Sequence, residues 1–215
     1  MKYCLNILMP LLIFGCSSPP ANDTESNTSS DKDTFIRDTI PAKTIKINND
    51  TLLLKTTKQI LTLIKKEEYN QFASFFHPVM GVRFSPYGYI DTNYHVKFTT
   101  DNFLKKLEQP AKIRWGNFDG TGDKMLLTIE EYFKKFVYNA DFLNAEKTSL
   151  NKMLGHGNSL NNLEAIYNGC EYTESYFSGF DKKYDGMDWC CLRLVYKKYK
   201  GKIYLVGIVH DQWTI

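Results

Sequence analysis

The chain has 215 residues, 43% of them hydrophobic and 14% aromatic, which is enough for one domain with a full core and too little for two large ones. Its formal net charge of +3 is spread along the sequence and lacks the strongly basic balance of a nucleic-acid binder. The lysine pairs at 65–66, 105–106, 134–135 and 197–198 adjoin periodic apolar residues and read as solvated faces.

Lys2 gives a positive start, and Leu5 to Phe14 form an apolar run too short to span a bilayer as a helix. The run ends Ile13-Phe14-Gly15-Cys16 and passes straight into Ser17-Ser18-Pro19-Pro20. This stretch resembles a bacterial lipoprotein signal peptide, with Phe14 bulkier than the residue usual before the glycine. The resemblance implies that residues 1–15 are removed and that the Cys16 thiol carries a diacylglycerol. The protein would then be held by lipid at a membrane of the bacterial cell envelope, outside the cytoplasm. A plain signal peptide or a short anchor is the alternative. Residues 16–50, rich in Ser, Thr, Asn, Asp and Pro, bury too little to order themselves and read as a tether. Residues 51–215 are then one folded domain.

Leu53, Thr57, Ile60, Leu61 and Ile64 recur at helical spacing. Tyr69, Phe72 and Phe76 mark a second, short helix ended by His77-Pro78. Residues 81–91, GVRFSPYGYID, read as irregular chain with short extended pieces. Phe103, Leu104 and Leu107 predict a two-turn helix stopped by Pro110. Residues 112–118 and 124–128 flank DGTGD as a hairpin. Thr128 and Glu131 form a capping box ahead of an amphipathic helix on Ile129, Tyr132, Phe133, Phe136 and Val137. Leu163, Ile166 and Tyr167 give one more helical turn, capped at Asn168-Gly169. Residues 170–180, 189–197 and 202–213 are β-rich runs, the last two joined as a hairpin through Lys198 to Gly201. The class is α+β, with N-terminal helices packed on a curved antiparallel sheet.

This order of elements is similar to the cone-shaped nuclear-transport-factor-like fold, in which a bent sheet wraps helices and leaves a pocket. More narrowly, HPVMGVRFSPYGYID, WGNFDGTG, EYFKKFVYNADF, GMDWCCLRLVY and YLVGIVHDQWTI resemble an uncharacterised family of secreted bacterial domains. The resemblance covers most of residues 55–215 and implies a fold but no activity.

Several residue groups carry candidate chemistry. A hairpin symmetric about 199–201 places Cys190 opposite His210, where an imidazole could take the thiol proton; the plainer alternative is a hydrogen-bonded histidine with Trp213 anchoring the last strand. Cys170, Cys190 and Cys191 leave open one bridge, a vicinal bridge or none. His77, Arg83, Tyr87, Tyr89 and Asp91 form a second group, in which Arg83 either clamps a carboxylate or phosphate or pairs internally with Asp91 or Asp211. Asp119, Thr121, Asp123 and Glu130 fit four positions of a calcium loop, but Lys124 stands where the turn demands glycine. The acidic turn 181–188 offers an ion site or a plain loop. Glu174, between Tyr172 and Tyr176 on a strand, is either a desolvated pocket carboxylate or a solvated one. No nucleotide loop, zinc spacing or serine elbow is present.

Three functions remain. The first is a tethered, non-enzymatic domain that binds a small molecule or an envelope protein through Arg83, Tyr87, Tyr89, Asp91 and Trp213, with no metal or cofactor and no nucleic acid. The second is a small hydrolase or isomerase in which His210, oriented by Asp211 or Glu174, is the general base. The third is a structural envelope lipoprotein with a filled pocket and an exposed apolar patch.

Overall fold

The computed structural model describes residues 48–214. The stretches expected to be a signal peptide (1–15), a lipidated cysteine (Cys16) and a tether (as far as residue 47) lie outside the described residues. Asn48 caps the first helix, α1 (Asn49–Lys65), by accepting from the Asp50 backbone N–H, so this helix starts inside the 16–50 stretch read as tether. Its buried stripe is Leu53, Thr56, Thr57, Ile60, Leu61 and Ile64, the apolar period of the sequence with Thr56 added. Three short helices follow: α2 (Tyr69–Ala73), α3 (Thr100–Glu108) and α4 (Ile129–Tyr132). The Thr128/Glu131 capping box is formed. α4 runs on into a π-helical turn at Phe133–Val137, a wider winding that brings Phe133, Phe136 and Val137 all into the core.

These helices cover one face of a six-stranded sheet. Its strands are β1 (Val82–Ser85), β2 (Lys97–Phe98), β5 (Lys147–Leu150), β6 (Glu171–Phe177), β7 (Cys190–Tyr199) and β8 (Lys202–Gln212), in spatial order β2-β1-β8-β7-β6-β5. A separate hairpin, β3 (Ile113–Asn117) with β4 (Lys124–Leu127), brackets the DGTGD turn. The α+β class expected from the sequence is the class observed. Three strands of the sheet, β1, β2 and β5, lie outside the β-rich runs of the sequence. β1 forms from the stretch read as irregular and pairs parallel to β8, which places β8 inside the sheet. β5 carries no apolar alternation and pairs with β6 at the edge.

The β7–β8 hairpin turns at Lys200-Gly201, both at positive φ, as a two-residue turn of matching twist demands. Its register shifts once, between Val195 and Tyr196. Together these move the pairing by two residues from the symmetric expectation: Leu192 faces His210, and Cys190 faces Gln212. A two-residue slip keeps the same side chains on each face, so Cys190 and His210 do share a face but are not opposed.

Period two then sorts the sheet. Leu192, Leu194, Tyr196, Ile208 and Phe84 join the helical core, where Phe84 touches Phe76, Phe98, Trp115 and Tyr132. Tyr172, Val195, Val206 and Val209 form a smaller core on the other face, under Ile90 and α5 (Leu163–Ile166) with Tyr167. Among the described residues no helix is long and apolar enough to cross a membrane.

Candidate functional site

His210 and Asp211 are neighbours on β8 and therefore point to opposite faces. His210 is fully buried on the helical side, edge-on to Phe136. Its Nδ1 lies 3.1 Å from the Pro86 carbonyl, and its Nε2 is buried with no partner among the described residues. Nδ1 thus carries the proton, and burial holds the imidazole's pKa down at about 4. Among the described residues no carboxylate reaches it, so the general-base constellation expected of His210 with Asp211 or Glu174 is not assembled. Burial also pushes the Cys190 thiol up to about 12 and Cys191 well above its ordinary value, which disfavours the thiolate nucleophile. Cys170, Cys190 and Cys191 are all free thiols.

Glu174 and Asp211 meet instead on the far face, around an arginine. Arg193, wholly buried, donates from Nε to Glu174 at 2.7 Å, from Nη1 to Asp211 at 2.8 Å and from Nη2 to the Gly155 carbonyl at 2.9 Å. Glu174 also accepts the backbone N–H groups of Leu154 at 3.0 Å and Gly155 at 2.7 Å. Two loops close over this triad: a Cβ on Gly88 would sit 2.6 Å from Asp211 Oδ2, and one on Gly155 would sit 2.6 Å from Trp189. The triad leaves no room for substrate and ties three strands and two loops together. Trp213, expected to anchor the last strand, is 36% exposed; the strand end is held by Asn158, which donates to the Thr214 carbonyl at 2.7 Å.

The 81–95 stretch divides its residues between two cavities. Arg83 makes no ion pair with Asp91 or Asp211; its Nη1 donates to the carbonyls of Thr92 at 3.0 Å and His95 at 2.9 Å. Asn162 clamps both backbone groups of Ile90, at 2.8 and 3.1 Å. Asp91 Oδ1 accepts from Asn93 N–H at 2.8 Å and Tyr94 N–H at 3.2 Å, an Asx turn that orients the Tyr94 ring. The Asp91 N–H donates to His95 Nδ1 at 3.1 Å, so His95 is a neutral, Nε2-protonated imidazole, its pKa lowered by burial to about 4.

This scaffold frames a cavity of about 230 Å³ lined by Tyr87, Tyr89, Asp91, Tyr94, His95 and Asp119, among others. Tyr89 and Tyr94 are 51% and 59% exposed, so their rings are available. Tyr87 is fixed against Phe136 and accepts from the Asp119 N–H at 3.2 Å. The Arg114 guanidinium lies 5.3 Å from the Tyr94 ring centroid, so that ring already accepts a cation on one face. Tyr87, Tyr89 and Asp91 are brought together as the sequence suggested; Tyr94, His95 and Asp119 join them, while Arg83, His77 and Trp213 lie elsewhere. His77 is buried, its Nδ1 accepting from the N–H groups of Val79 and Met80 at 3.2 and 3.0 Å.

A larger trough of about 790 Å³ runs between α1 and α2, lined by Leu63 and Phe75 among lysine, glutamine and asparagine side chains. Its charged lining is lysine without a carboxylate, imidazole or phenol beside it, so the smaller cavity is the better candidate. Among the described residues no cluster of His, Cys, Asp and Glu could hold a metal ion. The 181–188 turn is organised by Asp188, which accepts from the N–H groups of Phe180 and Asp181 at 2.9 and 2.8 Å.

No family model and no curated protein matches the chain. Among solved structures, it is similar to a putative calcium/calmodulin dependent protein kinase II association domain from Xanthomonas campestris, at 10% identity over 77% of this chain and 89% of that one, with a TM-score of 0.32. A likeness that slight transfers nothing to this chain.

Proposed function

We propose that the protein is a lipid-anchored, extracytoplasmic binding domain that takes a small amine-bearing molecule in the tyrosine cavity and does not transform it. The observation that carries this reading is the chemistry of the lining: three tyrosine rings, two carboxylates and an imidazole kept neutral. Aromatic faces and carboxylates attract an ammonium group, and a neutral His95 does not oppose it. The cavity is too small for a drug-sized ligand. The charged residues expected to do catalysis are sealed in a saturated triad, and the histidine beside them faces the other way.

The test is titration of the chain with tetramethylammonium and methylammonium, followed by tyrosine fluorescence. Tyr89→Ala and Tyr94→Ala are each expected to weaken binding about five- to tenfold, with the melting temperature unchanged because both side chains are exposed. Binding that ignores both substitutions, or no binding at all, contradicts the reading.

The anchor rests on the Gly15-Cys16 motif. Cys16→Ser is expected to abolish incorporation of labelled palmitate and to release the protein from the membrane fraction. A Cys16→Ser protein that still sediments with membranes and takes up label contradicts it.

A further inference from the structure

On the sheet face opposite α1 to α4, a second cavity of about 220 Å³ is lined by Arg83, Lys97 and Lys197 with Thr92, Tyr167 and Asn168, among others. Arg83 and Lys97 are directly opposed in the β1–β2 pair. Like charges opposed across a ladder destabilise it, and Lys197 adds a third. Among the described residues none of the three is in an ion pair. Asp91 caps the Asn93 turn, and Glu164 lines the adjoining cavity, which Tyr167 also lines.

The guanidinium is also aimed. Both acceptors of Arg83 Nη1 are carbonyls of the 92–95 turn, which fixes the plane of the group while Nε and Nη2 have no protein acceptor among the described residues. A rigid fork with spare donors beside two ammonium groups matches an oxyanion. Tyr167 adds a separate observation. Its hydroxyl is buried without a hydrogen-bond partner among the described residues, and the side chain is only 9% exposed. It packs on bare backbone, since a Cβ on Gly207 would lie 2.4 Å from that oxygen. A buried hydroxyl left unpaired carries a cost, and the Tyr167 side chain that bears it is part of the lining of the same cationic cavity.

We propose that the Arg83–Lys97–Lys197 cavity is a binding site for a phosphate-type oxyanion, separate from the tyrosine cavity. Free phosphate and the phosphodiester of an anionic lipid headgroup share this chemistry. The site's attraction is electrostatic and falls with added salt.

The test titrates the full chain, in non-ionic micelles, with inorganic phosphate and with glycerophosphoglycerol, a headgroup without acyl chains, following amide and side-chain NMR shifts. At least one is expected to bind at millimolar concentration and move the resonances of Arg83, Lys97 and Lys197. Phosphate alone identifies a free-anion site; the diester identifies a headgroup site. Lys97→Gln with Lys197→Gln, both exposed positions, is expected to weaken binding about tenfold while leaving the fold intact. Arg83→Lys keeps the charge but loses the fork, and is expected to weaken it less. No response to either probe, or a response undiminished in the double variant, overturns the proposal. Tyr89→Ala is expected to leave the phosphate response untouched, so failure of the amine reading and failure of this one are told apart.

Discussion

Arg193→Ala is expected to destabilise the folded domain by about 3–5 kcal/mol, read as a lowered midpoint in urea with little change in slope. Among the described residues the guanidinium is the one cation between Glu174 and Asp211, and all three are buried. Removing it leaves two carboxylates facing each other out of water, and they must take up protons or the site must open. Asp211 is already strained in this sense: burial raises its pKa against the pull of Arg193. Arg193→Lys keeps a charge but cannot span both carboxylates and the Gly155 carbonyl, so it is expected to fall between. Replacing all three residues together with apolar ones of similar volume is expected to recover much of the loss, because the pair of anions goes with the cation. An Arg193→Ala protein within about 1 kcal/mol of the parent would mean that the triad behaves as an exposed ion pair.

The second large effect is acid lability centred on His210. Its folded pKa of about 4 lies below the ordinary value of 6.5 because burial penalises the imidazolium. A base with a depressed folded pKa binds fewer protons folded than unfolded between those values. Its contribution is therefore complete above pH 6.5 and is lost as pH falls toward 4, by about 3 kcal/mol in all. His77 and His95 are lowered by burial in the same direction and add to the slope. His210→Leu removes the unpartnered Nε2 and gives up the Pro86 hydrogen bond, so its stability at pH 7 is expected to stay within about 1 kcal/mol of the parent. The expected readout is a flatter stability curve between pH 4 and 6.5, reduced by up to one proton. An unchanged slope would mean that His210 is protonated in the folded state.

Sequence periodicity located every helix of the packed layer because each buries a stripe with the period of its own winding. It could not locate β1, β2 or β5. β1 is four residues in a Gly- and Pro-punctuated stretch, and its pairing is parallel to a strand more than a hundred residues away, which no local pattern encodes. The hairpin register escaped because one bulge at Val195–Tyr196 and a two-residue turn both shift the pairing. Within the site, Tyr87, Tyr89 and Asp91 were legible because they are close in sequence and chemically dense. His95 offered a usable signal, a histidine four residues after an aspartate across an Asn-containing turn, and was passed over. Arg193 offered a stronger one: a single charge inside the apolar run CCLRLVY has to be paired if the strand is buried. Glu174 and Asp211 were singled out as chemistry when they are its partners, since alternation along a strand does not say which face meets water.

On the proposed function, this domain recognises a small amine through tyrosines and not through His210. The measurement that bears on it most directly is chemical-shift mapping of the chain during titration with tetramethylammonium. Saturable shifts confined to Tyr87, Tyr89, Asp91, Tyr94, His95 and Asp119 are expected, with His210 and Arg193 unmoved. Shifts centred on His210 and Leu192, or none around the tyrosine cavity, would contradict it.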